Sequence, residues 1–461
     1  MYKLSRIEIE GFWGQHTIKV NIHDDVTIFI GKNGTGKTHF INIVQAVLFG
    51  NIEELIKLKF KTVTIKLNHK KEEAKEKTVK IIVTKELDEL DNDLEQITYT
   101  INRNTYEIPL GRILRNINLS RNRRHRPFHD FPNEEKVREK LKGLIQLSFL
   151  SVYREEHMSL AFEEIGIRDE RRKNGVDTKL EKLMNQLTSY QLQIEANISD
   201  TSREFQNSVL QTMLCDEDLD SILIVKKDSN KKSHFNIKPP TSENDLNEFK
   251  NKLIEVFKTL GNEGETIKKQ IDKHIEKYKE AYKNANKIKN SDKDVSLGFV
   301  KLLKLISAIP LFNRSLNMID LYEDFNAKSN EIKKPITNYL KLLKEFIEEK
   351  DFSISSKEQG GLIVKKEDEK FPIEELSSGE KQLIIFLTET LLQKKEPRIF
   401  LADEPELSLH IEWQKKLLGS VLKLNPNAQI IVATHSPEIV ADWQNKAFNM
   451  ETITVKNARK T

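Results

Sequence analysis

The stretch VTIFIGKNGTGKTHFINIVQAVLFG, residues 26 to 50, constrains this chain more than any other. Val26 to Ile30 form a short β-prone run, and HFINIVQAVLF after the loop has the apolar density of a helix. Between them Gly31, Gly36, Lys37 and Thr38 hold the G-x-x-x-x-G-K-[ST] spacing, with Lys32, Asn33, Gly34 and Thr35 filling the loop. Glycines let the backbone wrap phosphate oxygens, and the loop amides and helix N-terminus donate to the anion. Lys37 reaches the terminal phosphates and Thr38 ligates magnesium. A chance glycine turn before a helix is the competing reading, and the strand ahead of the loop argues against it.

Two later apolar runs end in groups that suit the same chemistry. RIFLADEPE has Ile399 to Ala402 followed by Asp403 and Glu404. Such a run fits a central parallel strand, whose C-terminal end faces the ligand crevice. There Asp403 holds the magnesium water shell and Glu404 orients or deprotonates the attacking water, although acids before Pro405 also open ordinary turns. IIVATHSP ends in His435, a position for contacting the γ-phosphate or the water. A lone histidine is usually structural; convergence of three strand ends favours the site. ELSSGEKQ is a capping box, Ser377 with Glu380, opening the helix LIIFLTETLL. It also presents Ser378, the Gly379 backbone and a helix N-terminus to solvent, an anion receptor with no anion of its own.

Phosphate loop, LSSGE turn, DEPE strand and THSP, in this order, resemble the ABC-type ATPase heads of the SMC and RecF class. The resemblance covers about residues 1 to 165 and 350 to 461. It implies an α/β fold: an ABC-type P-loop ATPase head of mixed and parallel sheets with flanking helices and an inserted α-helical domain. The implied division is 1–165, lobe I with the phosphate loop; 166–349, helical insertion; and 350–461, lobe II with signature turn, Walker B strand and switch histidine. It also implies ATP and Mg2+ as cofactors, and that Ser377, Ser378, Gly379 and Glu380 of one copy complete the ATP site of another. DEPELSLHIEWQ is closer to OLD-like ATPases and to ATPase subunits of anti-phage systems, AriA of PARIS above all and PtuA of Septu next. From that follows the expectation of a sensor or scaffold that holds a separate toxic effector nuclease and releases it on a phage-encoded trigger. A RecF/SMC-like repair ATPase acting directly on DNA is the alternative; an importer motor fits poorly, for want of a coupling segment. Two departures matter. FLSVYREE places Tyr153 where the family carries a glutamine, with Arg154 beside it, which implies slow hydrolysis or a stable ATP-bound state. With 26 residues after His435, no Toprim nuclease domain is expected.

At 461 residues the chain has room for two or three domains, and its 32% charged and 38% hydrophobic residues suit long solvated helices beside a compact core. Ile7, Ile9, Ile18, Val20 and Ile22 alternate about a turn at Gly11 and Gly14, and strands are expected at 61–67, 78–84 and 96–102. The charge run KKEEAKEK reads as a solvated turn. Leu180, Leu183, Leu187, Tyr190 and Ile194 give one apolar seam, as of a short hairpin or a core-facing bundle helix. After a KPPTSEND linker, residues 242–350 read as helical and lysine-rich, with a solvated face around Lys268 to Lys289. Arg112, Arg115, Arg121, Arg123, Arg124 and Arg126 lie in a stretch without acids. Beside Phe128 and His125 they suit nucleic-acid phosphates, and equally an acidic protein. The acidic string 216–220 reads as a solvated turn. The lone Cys215 excludes an internal disulfide, and the absence of an apolar run long enough to span a bilayer gives the expectation of a cytoplasmic protein without membrane contact.

Overall fold

The computed structural model describes residues 2–71, 74–87, 94–110, 131, 133–150, 175–214, 243–288, 295–355 and 361–457. Two compact units divide the chain: Met1–Gln191 with Ile336–Thr461, and Leu192–Pro335.

In the first unit a five-stranded sheet has the order β14-β3-β13-β12-β8. These strands are β3 (Val26–Ile30), β8 (Leu147–Leu150), β12 (Ile399–Asp403), β13 (Gln429–Ala433) and β14 (Ala447–Asn449), and every pairing is parallel. The runs are continuous because both faces are covered. Phe29, Leu401 and Ile431 enter one core, while Ile28, Phe400, Ala402, Ile430 and Val432 enter another on the opposite face.

A seven-stranded antiparallel sheet is ordered β15-β2-β1-β4-β5-β6-β7. It comprises β1 (Lys3–Phe12), β2 (His16–Asn21), β4 (Thr62–Lys71), β5 (Ala74–Leu87), β6 (Leu94–Ile101), β7 (Asn104–Pro109) and β15 (Thr454–Lys456). Its alternating residues Leu4, Ile7, Ile9, Ile18, Val63, Ile65, Ile81 and Val83 are buried in the core shared with the parallel sheet. Gln429 ties the two sheets. Its fully buried amide accepts from Leu4 N at 2.8 Å and donates to Leu4 O at 2.8 Å and His23 O at 2.7 Å. A third sheet, β11-β10-β9, joins Asp351–Ile354 (β9), Leu362–Lys366 (β10) and Glu369–Phe371 (β11).

The charge run at 70–77 is largely strand: β4 reaches Lys71 and β5 starts at Ala74, opposite it, while residues 72 and 73, where the expected turn would fall, lie outside the described residues. A hairpin ladder satisfies its backbone groups whatever the side chains are, so hydropathy does not mark where it ends.

Among the described residues the helices longer than one turn are α1 (Lys37–Phe49), α2 (Ile52–Lys57), α3 (Glu134–Leu144), α4 (Gly175–Gln211), α5 (Glu243–Thr259), α6 (Glu265–Ile288), α7 (Val295–Phe346), α8 (Ser378–Leu392) and α9 (Ile411–Leu424). The apolar seam of α4 is present, with Leu180, Leu183, Leu187 and Ile194 buried, but the helix runs for 37 residues rather than forming a short hairpin arm. Beyond the seam Phe205 and Val209, one turn apart, add a further buried apolar pair, with exposed helix formers such as Glu204 and Gln206 around them. The boundary between the units falls within α4 and α7. In the second unit Phe205, Val209, Phe249, Leu253, Ile271, Ile275, Tyr278, Phe312 and Ile319 form a helical core, with Tyr278 stacked on Phe312 at 3.7 Å. On α6, Lys268, Lys273 and Glu276 are exposed while Ile271, Ile275 and Tyr278 are buried, so this lysine-rich stretch has the expected solvated face. Among the described residues no helix is long and apolar enough to cross a membrane.

Candidate active site

Strand order brings together what the sequence separates. β3 lies beside β13 and β13 beside β12, with Phe29 opposite Ala433 and Ala433 opposite Asp403. The phosphate loop, Glu404 and the Thr434–Ser436 segment therefore leave the sheet at one edge, the C-terminal edge where parallel sheets bind ligands.

Within the loop, Lys32, Asn33 and Gly34 are exposed, Gly31 and Thr35 are half-buried, and Gly36 and Lys37 are buried. Gly36 caps α1 at φ 94°, and a Cβ there would lie 2.8 Å from Phe12 Cζ, so both backbone and space require glycine. Lys37 Nζ donates to Gly31 O at 2.8 Å and Lys32 O at 3.1 Å, closing a ring around the loop. Burial pulls its ammonium below the ordinary lysine value; Glu404, Asp403 and Glu406 oppose that shift without cancelling it.

Thr38 Oγ1 donates to Asp403 Oδ1 at 3.1 Å. A hydroxyl beside one carboxylate, at the mouth of a phosphate loop, is a hard-oxygen pair suited to Mg2+ that keeps waters and phosphate oxygens as its other ligands. Among the described residues no cluster of three or more His, Cys, Asp or Glu could hold a metal by itself. Glu404 has a left-handed backbone, φ 51°, fixed by its N–H donating to Ala433 O at 2.8 Å. Such a conformation costs on the order of 1–3 kcal/mol and collects at functional sites. Its Oε1 lies 3.8 Å from His435 Nε2, with the two side chains 34% and 36% exposed, open enough for a water to reach both. A cavity of about 300 Å3 adjoins them, lined in part by Glu406, Leu407, Ile411 and Gln414.

At the signature turn, Ser377 Oγ accepts from Glu380 N at 3.3 Å and Glu380 Oε2 accepts from Ser377 N at 2.9 Å, completing the capping box. Glu380 Oε1 also accepts from Lys350 Nζ at 2.5 Å. Burial alone would raise the Glu380 carboxyl, but Lys350 and Ser377 outweigh it and hold the group below the usual glutamate value. Ser377 and Ser378 are exposed, whereas Gly379 is buried against the loop that follows β12. A Cβ on Gly379 would meet Ser408 O at 2.3 Å. No hydrogen bond or ion pair joins residues 377–380 to the phosphate loop of the same chain.

Two participants escaped the sequence reading. Glu406 accepts from Thr434, His435 and Ser436, a role for which the third acid of DEPE is the only sequence trace. Trp13, at φ 52° in the β1–β2 turn and 40% exposed, stands beside Gly36, where a Cβ would come within 2.9 Å of its ring. Arg112, Arg115, Arg121, Arg123, Arg124, Arg126, Tyr153, Arg154, Cys215 and the acidic string 216–220 lie outside the described residues.

The AAA_15 family model, described as AAA ATPase domain, matches residues 2–440. A protein of Escherichia coli described as the retron Ec83 probable ATPase is 34% identical over 97 residues, which span 18% of this chain and 18% of that protein. Two similar solved structures are Smc head domains: one from Pyrococcus furiosus, with an extended coiled coil and bound to the C-terminal domain of ScpA, the other from Pyrococcus yayanosii, with a coiled coil and joint. Each covers 96% of this chain at a TM-score of 0.41, with 13% and 15% identity and 92% and 94% of the respective neighbour covered.

Proposed function

Because the chain belongs to the AAA ATPase domain family, we propose that it binds MgATP at the loop 31–38 and hydrolyses it between two copies of itself. The observation that carries this reading is the meeting, at one sheet edge, of Thr38 with Asp403 and of Glu404 with His435. Bound triphosphate takes over the Lys37 donors now spent on two loop carbonyls, and Trp13 offers a flat face beside the loop for the base. Magnesium, held by Thr38 and Asp403, supplies charge neutralisation on the phosphates. Glu404 removes the proton of the attacking water and His435 fixes that water and the γ-phosphate. The exposed Ser377–Ser378 turn, which makes no hydrogen bond to the phosphate loop of its own chain, completes the site of a second copy together with the Gly379 backbone and the Glu380 cap. In that arrangement 1–165 and 350–461 form the ATPase head and 166–349 a helical insertion.

The partial likeness to a retron ATPase supports placing this activity in defence against phage, with ATP-bound assemblies holding a separate nuclease that a phage product releases. Lys37-dependent ATP turnover together with co-purification of a toxic product encoded next to this gene supports the reading. Salt-sensitive stimulation of turnover by DNA, with no such partner, transfers the protein to DNA repair.

A further inference from the structure

We propose that Glu406 is a positioning residue that sets His435 for the reaction and ties it to the signature helix. The proposal rests on the hydrolytic reading above. Glu406 is the third carboxylate of DEPE, beyond Pro405, and its Oε1 gathers three donors from just past β13: Thr434 Oγ1 at 2.6 Å, His435 N at 2.8 Å and Ser436 N at 3.1 Å. Both backbone amides flanking the histidine side chain's attachment are thus pinned by one oxygen. Thr434 is fully buried and cannot move aside, and Ser436 Oγ is held from the other direction by Gln414 Oε1 at 2.6 Å. Gln414 in turn donates to Leu409 O at 2.9 Å, so the 404–410 loop and the 434–436 segment are cross-linked twice.

An acid suits this position better than an amide. The two backbone amides and one hydroxyl all converge as donors, and a carboxylate oxygen accepts charge-assisted bonds from all three. Glu406 Oε2 is a buried atom with no hydrogen-bond partner among the described residues, so the protein holds the carboxylate through Oε1. Such an arrangement is retained at the expense of desolvation, which fits a role in orientation rather than in stability. Glu406 makes no hydrogen bond to the phosphate loop, and its charge is the smallest of the three carboxylate influences on Lys37; its hydrogen bonds act through His435, whose Nε2 lies 3.8 Å from the Glu404 carboxylate.

The same loop meets the signature helix. Ser408 O sits where a Cβ of Gly379 would fall, at 2.3 Å, and Gln382 Nε2 on that helix donates to Pro405 O at 3.4 Å. A shift of His435 that pulls on Glu406 is therefore passed to the N-terminus of α8, the segment offered to the second copy.

The test is a double-mutant cycle on ATP turnover in the full-length protein, with Glu406→Ala, Glu406→Gln, His435→Ala and the double variants, alongside nucleotide binding measured separately. Misplacement of about 1 Å costs about 100-fold in rate, so Glu406→Ala is expected to lower kcat on that order while leaving the ATP dissociation constant within a few-fold. Glu406→Gln, which keeps one acceptor oxygen, recovers part of the loss. In the His435→Ala background the further change to Glu406→Ala has little effect, because the residue acts through the histidine. Losses that multiply in the double variant, or a Glu406→Ala variant with unchanged turnover, overturn the proposal while leaving the ATPase reading intact. If wild-type turnover does not depend on Lys37 and Glu404, the ATPase reading fails and the proposal with it.

Discussion

In the proposed reaction Lys37 and Glu404 separate binding from chemistry, because the first donates into the phosphate loop and the second faces His435 at the open edge. Lys37→Ala is expected to weaken ATP affinity itself. Glu404→Gln is expected to keep affinity and to lower kcat by about 10²- to 10⁴-fold, the usual loss on removing a general base; equilibrium binding and single-turnover hydrolysis on the two variants distinguish these outcomes. The place of these two residues at one sheet edge was legible in sequence because each is written in a local string: a spacing in the loop, and a carboxylate ending an apolar run. Gly379 was legible only as part of a turn. Its close approach to Ser408 joins segments whose proximity no local pattern encodes. Gly379→Ala inserts a methyl where there is no room and is expected to destabilise by about 1–3 kcal/mol in urea melts. Glu406 was hidden for the same reason, since its three donors come from another strand.

Among the elements, the capping box at the start of α8 was readable because both partners lie within four residues, and Ser377 and Glu380 make both of its bonds. The Lys350 ammonium that completes it comes from beyond the end of α7 and left no trace in the sequence. Since the folded Glu380 carboxyl titrates below its ordinary value of 4.5, its contribution to stability is complete above about pH 4.5 and is lost as pH falls through the lower, folded value. Glu380→Gln removes this titration, so acid unfolding of the variant is expected to show a flatter pH dependence below pH 4.5 than the wild type. Between sheets the tie is Gln429, which sits at the start of an apolar run and looks by sequence like the polar edge of a strand. Gln429→Leu leaves the Leu4 amide and two carbonyls buried without their partner. The expected loss is about 1–3 kcal/mol in chemical denaturation, with little change in nucleotide affinity for protein that remains folded.

At the scale of the molecule, the order strand, phosphate loop, helix at one end of the chain and acidic strand, histidine strand at the other already implied one parallel sheet closed by distant segments, and β3-β13-β12 is that sheet. What the pattern did not convey was length: β4 and β5 reach into charged residues through backbone pairing, and the 37 residues of α4 include a second buried pair, Phe205 and Val209, set apart from the seam. The central claim is that each ATP is gripped by the phosphate loop of one copy and the Ser377–Ser378 turn of another. Its most direct test mixes two full-length variants, Lys37→Ala and Ser378→Glu, each inactive alone. A mixed pair contains one site built from an intact loop and an intact turn, so ATP turnover is expected to reappear on mixing. A mixture that stays as inactive as its parts, although the two proteins associate, would contradict the account.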